Sequence, residues 1–269
     1  MDALTVGNDA TFRMVIFVWL FLVLAITERL FPMRRNNLWL GRWFSNLSLS
    51  ALNTLCLRVL SPWSATLFAF FIIEEEVSLF TIYQLPTWLS VACFILIFDI
   101  TIYFQHRLFH AFGPIWIFHR VHHTDVEYDL TTGIRFHPVS ILISMLIKLL
   151  LVLLIGPLPS AVLAAEVLLN ATSMFNHSNI KLAPELEKRL RYVIVTPDMH
   201  RIHHSTLRSE HSANFGFNFS WWDRLFGTYL ESTTESQAKM KVGIDGFGAP
   251  WSIRLDRLLL QPMEKGEES

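Results

Sequence analysis

Five apolar segments limit what this 269-residue chain can fold into. They run from about Phe12 to Ile26, Leu47 to Ile73, Trp88 to Phe104, Val139 to Ile155 and Leu158 to Phe175. A helix needs roughly 20 apolar residues to cross a bilayer, and several of these runs are at the short end. Arg58 and Pro62 interrupt the second, Lys148 sits in the fourth and Glu166 in the fifth. The last two, joined by Gly156-Pro157-Leu158-Pro159, read as a tight helical hairpin that spans shallowly or partly re-enters. Charged residues make up only 17% of the chain, against about 25% in soluble domains. The expectation is a single all-α domain over residues 1–269, an integral membrane helical bundle with about four to five membrane helices. The start of the chain, Met1 to Thr11, lacks the positive region of a signal peptide, so the first run reads as a retained membrane helix. Cys56 and Cys93 lie in apolar stretches and read as small buried hydrophobes. A net charge of −1 with no Lys/Arg block argues against nucleic acid as a partner.

Loop charges give an orientation. Arg29, Arg34, Arg35 and Arg42 follow the first run, and Glu74, Glu75 and Glu76 follow the second. The first loop is therefore expected on the cytoplasmic side. Counting the runs outward and back then brings residues 106, 177 and 200 to that same cytoplasmic face. The absence of an evident retrieval or sorting tail favours a bacterial inner membrane over the endoplasmic reticulum.

All eleven histidines fall between His106 and His211. Eight form three blocks: His106 and His110; His119, His122 and His123; His200, His203 and His204. Imidazole is the commonest metal ligand and sits poorly in an apolar core without a partner. His106 and His110, four apart, share one helix face. In each HxxHH block the outer pair converges, while the adjacent histidine points about 100° away and can serve a second ion. Gly113 and Pro114 break the chain between the first two blocks, which fits two helices meeting over a shared cavity. His177 is a further candidate ligand. His137, before Pro138, is a candidate ligand with helix capping as the rival role. His211 stands alone in a polar loop. So many nitrogens, with no cysteine among them, exceed one tetrahedral zinc site and favour two ions. Iron, copper and zinc all suit imidazole.

The blocks HRLFH, HRVHH and HRIHH resemble the fatty acid hydroxylase superfamily, which also contains sterol desaturases, sterol methyl oxidases and alkylglycerol monooxygenase. FHP at Phe136 to Pro138, NHSN at Asn176 to Asn179, NFG at Asn214 to Gly216 and WDRLFGTY at Trp222 to Tyr229 strengthen the likeness, which runs from about Asp99 to Leu230. The resemblance implies a non-haem di-iron centre at the cytoplasmic face, in a histidine-rich helical cap. It implies His106, His110, His119, His122, His123, His177, His200, His203 and His204 as ligands, with His137 in or beside the set. It implies O2 as co-substrate, a lipid dissolved in the bilayer as substrate, and hydroxylation or desaturation as the outcome. Electrons are expected from a separate donor protein. His211 has no counterpart in the pattern, and Ser212 and Ala213 stand where the family carries an acidic residue.

All-histidine ligation calls for acceptors that orient the ring N–H groups. Asp125 and Asp198 are the candidates, with Glu127 and Asp129 nearby. Arg120 and Arg201 are expected to pair with these acids or with lipid head groups, and Asp223 with Arg224. Phe215, Phe217 and Phe219, alternating ahead of Trp221 and Trp222, suggest an interfacial amphipathic segment. The rival classes are a haem- or metal-binding membrane protein without oxygenase activity and a metal transporter. The first needs histidines mid-helix, and the second needs polar ligands at mid-membrane.

Overall fold

The computed structural model describes residues 3–61, 63–74 and 85–264, without the side chains of residues 3–8, 39, 74, 250 and 252. Pro62, Glu75 and Glu76, the side chain of Glu74 and the tail beyond Glu264 lie outside these, and so do the expectations placed on them. Among the described residues there are no strands, only three isolated bridges. The long helices are α1 (Ala3–Leu30), α2 (Trp39–Leu60), α3 (Ala65–Glu74), α4 (Thr87–Ala111), α5 (Gly113–His123), α6 (Pro138–Ile155) and α7 (Pro159–Asn176). Short helices α8 (Pro184–Leu190) and α9 (Pro197–His203) follow.

Four stretches are long and apolar enough to cross a membrane: Asp9–Leu30, Leu40–Ile73, Thr87–Ala111 and Pro138–Ile155. The fifth apolar run, α7, is outside that set. It is packed instead, lying along α4 and α1 and against α3. Phe94, Phe98 and Ile102 of α4 meet Ala161, Val162 and Ala165 of α7 there, closed by Ala65 and Ala69 of α3 and Val152 of α6. Small residues on α3 and α7 let the backbones approach, and the Phe rings fill the space between. Outer faces such as Phe12, Val15, Trp19 and Leu22 of α1 are exposed, as suits hydrocarbon surroundings.

The chain stops and starts where its chemistry dictates. Pro138 opens α6, capped by the His137 ring, which accepts from the Val139 N–H at 3.2 Å. Gly156 closes α6 at φ 60°, a left-handed conformation that glycine adopts without Cβ strain. The second apolar run begins as helix earlier than its hydropathy suggests, at Trp39, and breaks between Leu60 and Ala65. Phe112, extended between α4 and α5, separates the first two histidine blocks.

Four charges in the apolar layer meet one another. Glu166 accepts from Lys148 at 2.7 Å and from Arg13 at 2.8 Å, and Arg13 also pairs with Asp9 at 2.7 Å. Buried charges require such pairing. Arg42 corrects a loop-charge expectation. It lies on α2, is fully buried, and forks onto Asp125 and Asp129 at 2.5 and 2.6 Å. Cys56 and Cys93 are free and only half-buried, not core residues.

Candidate metal centre

The ends of α4 and α5, the residue after α7, and α9 with the residue that caps it converge on one cluster of rings. Eight histidines form two groups, His106, His110, His123 and His203, and His122, His177, His200 and His204; within each, one nitrogen per ring lies within 4.8 Å of the others. Only His110 is less than fully enclosed. The adjacent histidines divide between the groups. His123 and His203 enter the first, while His122 and His204 enter the second, as the 100° step along a helix requires. His119 belongs to neither group but lies between them, its ring 5.0 Å from His110 and from His123 and 5.5 Å from His122.

Three rings are oriented by backbone carbonyls. His106 Nδ1 donates to Phe215 O at 2.9 Å, His203 Nδ1 to Ala213 O at 2.8 Å and His177 Nδ1 to Ser173 O at 2.7 Å. A carbonyl only accepts, so each ring carries its proton on Nδ1 and leaves an Nε2 lone pair. The Nε2 atoms of His106 and His203 nevertheless face each other at 3.0 Å. Two bare acceptors cannot hydrogen-bond, and a cation between them resolves the repulsion. Cis ligands of a metal at about 2.1 Å lie roughly 3 Å apart. His122 and His177 also approach at 3.0 Å and His177 and His204 at 3.2 Å. His200 has both ring nitrogens buried without a partner, and the Nδ1 atoms of His119, His122, His123 and His204 are likewise unmatched. These residues fit metal ions in number, donor type and spacing. Burial, reinforced by neighbouring imidazoles, holds His119, His122, His123, His200, His203 and His204 well below the ordinary imidazole pKa. Burial alone dominates at His177, pushed down to about 3. The rings are therefore neutral, the state a metal ligand needs.

Several side chains play parts the sequence did not assign. His211 packs on the first group, its ring 4.7 Å from His110, 4.8 Å from His123 and stacked 5.8 Å from His203. It is not isolated in a polar loop; the short helix Arg208–His211 folds it back onto the cluster. Sequence spacing carries no signal for this. His137, in contrast, joins neither group. Its Nε2 sits 3.3 Å from Leu259 O and its Nδ1 caps α6, so it serves the helix start. Asp125 and Asp198 do not orient the rings. Asp125 is taken by Arg42 and by the Thr132 hydroxyl at 2.8 Å, and Asp198 by Arg201 at 2.7 Å. Asp129 serves Arg42, and Glu127 accepts from the Asn37 N–H at 2.6 Å. Arg120 donates to backbone oxygens of Gln261 and Glu264, not to an acid.

Phe215 and Phe217 are also buried, not interfacial. Their rings lie 5.7 and 5.9 Å from His106, and with Trp116, Phe109, Phe136 and Tyr128 they wall the cluster. The NFG and WD blocks build that wall. Asn214 takes φ 54°, tolerated by Asn better than by most residues, and donates to Met199 O and Leu230 O. Asp223 accepts from the Phe215 and Gly216 N–H groups at 2.8 Å each, with burial pushing it up to about 6. A Cβ at Gly216 would come within 2.6 Å of that carboxylate, so only glycine fits. Arg224 does not pair with Asp223; its guanidinium lies 3.8 Å over the Tyr229 ring. Asp99 of α4 accepts from Asn218 N, Phe219 N and Trp222 Nε1, fixing the loop to the membrane helix.

The chain is similar in sequence to several known proteins. The ornithine lipid hydroxylase OlsE of Rhizobium tropici is 30% identical over 165 residues, covering 61% of this chain and 48% of that protein. Alkylglycerol monooxygenase of Homo sapiens is 29% identical over 169 residues, covering 62% of this chain and 36% of that protein. The Xenopus tropicalis alkylglycerol monooxygenase is 28% identical over 165 residues. The chain thus spans about half the length of the first relative and about a third of the others. No solved structure gives a significant match. The family model described as "Fatty acid hydroxylase" matches residues 91–228, from α4 through the closing WD block. That stretch includes the histidine cluster, and the chain belongs to the fatty acid hydroxylase family.

Proposed function

We propose that this protein hydroxylates a lipid within the bilayer, using O2, external electrons and a di-iron centre held by its histidines. The observation that carries the reading is the division of adjacent histidines between two buried all-nitrogen groups. His106, His110, His123 and His203 hold one ion. His122, His177, His200 and His204 hold the other, with His119 between them. Two iron ions, when bound, supply the O2 activation needed to attack an unactivated C–H bond. The chain's residues do the rest. Backbone carbonyls of Phe215, Ala213 and Ser173 fix three ligand rings. Phe109, Trp116, Phe136, Phe215 and Phe217 exclude water, which protects reactive species from side reactions.

The relatives, named as lipid hydroxylase and monooxygenase, favour hydroxylation over desaturation. An apolar helical roof favours a bilayer-dissolved substrate over a soluble metabolite. Arg29 in the last turn of α1 and Arg34 and Arg35 just after it support a cytoplasmic site, with Arg42 removed from that count because it is buried. The electrons come from a separate donor protein. Lipid mass spectrometry of cells expressing the active chain or His122→Ala tests the reading. A lipid heavier by one oxygen only with the active chain is expected. Loss of two hydrogens would mean desaturation, and identical lipid profiles would contradict an oxygenase.

A further inference from the structure

A cavity of about 310 Å³ opens beside the segments that follow the second and third histidine blocks, lined by Val126 and Thr206 among others. Its wall also carries Arg34, Lys239, Lys241 and the loop Ile244 to Gly248. Asp245 is the only acid among the lining residues, so three cations face one carboxylate. The placement of the lysines follows from local structure. Met240 and Val242 are buried against Tyr128, while Lys239, at the end of a turn and with its N–H donating to Ser236 O, and Lys241, between the two buried residues, are exposed. Among the described residues neither lysine has an ion pair. The segment is pinned by a Ser205–Val242 bridge and by Gly243 N–H donating to His204 O at 3.1 Å.

Arg34 is the third cation. Its backbone is clamped by Asn179, which accepts from the Arg34 N–H at 3.0 Å and donates to its carbonyl at 2.7 Å. Its Nη1 is buried with no hydrogen-bond partner. Burial, with Arg201 nearby, holds its pKa down to about 10, against the pull of Glu127. Glu127 itself is engaged by the Asn37 and Leu38 N–H groups. A partly buried guanidinium with no ion pair is costly, and guanidinium with ammonium groups is the pattern that recognises phosphate.

We propose that this cavity seats a phosphate group, held by Arg34, Lys239 and Lys241. Arg34 lies four residues beyond Leu30, where a membrane-crossing stretch ends, so the seat is at head-group depth and the phosphate belongs to an anionic phospholipid. The seat is distinct from the histidine cluster and does not depend on which metal that cluster holds.

The test uses the full chain in detergent, with phosphatidylglycerol, phosphatidylcholine or inorganic phosphate as probes. Native mass spectrometry counts retained lipid, and thermal melting reads phosphate binding. Wild type is expected to retain one phosphatidylglycerol in preference to phosphatidylcholine. The double variant Lys239→Gln/Lys241→Gln is expected to bind it at least about tenfold more weakly, and Arg34→Gln weakens it independently. The lysine double variant should melt near the wild-type temperature without a probe, since Lys239 and Lys241 are exposed. Stabilisation by inorganic phosphate in wild type alone, without lipid preference, would keep the phosphate seat and assign it a soluble ligand. Equal behaviour of wild type and both variants with every probe would overturn the proposal.

Discussion

Two neighbouring imidazoles on one helical turn diverge by about 100°, and this separates His122 from His123 and His203 from His204. That much was legible in the HxxHH spacing. The position of His211 was not, because it depends on how the loop after His204 folds back, and no periodicity encodes that. Nor were the carbonyls of Phe215, Ala213 and Ser173, since every residue has one and only the fold selects which faces a ring. His137 reads equally well as ligand or cap from its place before a proline, and only the geometry separates these. His211 lies against a group already complete with four nitrogens. Replacing it with Gln should therefore leave the metal count unchanged but alter the spectrum of one ion, read by Mössbauer spectroscopy of iron-loaded protein. Loss of a whole ion from His211→Gln would make it an essential ligand instead.

Helix α2 shows why apolar runs located the membrane elements yet misplaced an end. Its first turns, carrying Arg42, Ser45 and Asn46, are more polar than the apolar run that starts at Leu47. One face of these turns binds the loop after α5, while Leu40 and Phe44 on the other are exposed. Arg42 forks onto Asp125 and Asp129, Trp43 Nε1 donates to Asp129 at 3.1 Å, and Asn46 donates to the Thr131 hydroxyl at 2.9 Å. Asp125 is two residues from His123, so this ion cluster fixes the loop leaving α5. Arg42→Met removes the cation and leaves two buried carboxylates without it. Removing one side of a buried pair costs roughly 3–5 kcal/mol, so Arg42→Met is expected to lower the unfolding midpoint in a denaturant titration in detergent by a corresponding amount. An unfolding free energy from that titration within about 0.5 kcal/mol of wild type, the range of an ordinary surface change, would show that the cluster is dispensable.

At the scale of the molecule, a bundle of apolar helices carries a polar cap whose interior is a cluster of neutral imidazoles. Asp9, Arg13, Lys148 and Glu166 in the apolar layer are matched against each other, and the Arg42 cluster holds loops of the cap. That leaves the histidines as the buried polar groups with unmatched nitrogens in greatest concentration. The sequence showed both halves of this design, because hydropathy and histidine spacing are local. Sequence spacing anticipated an arginine for Asp198, met by Arg201, but not that Arg42 takes Asp125 and Asp129, because partner choice over that distance is set by tertiary packing. The central claim is that the two groups each hold an ion. Elemental analysis of the full chain purified with its metal, beside His204→Ala, tests it most directly. The account predicts two iron ions per wild-type chain and one in the variant. A wild-type chain carrying a single ion, or a variant retaining both, would contradict it.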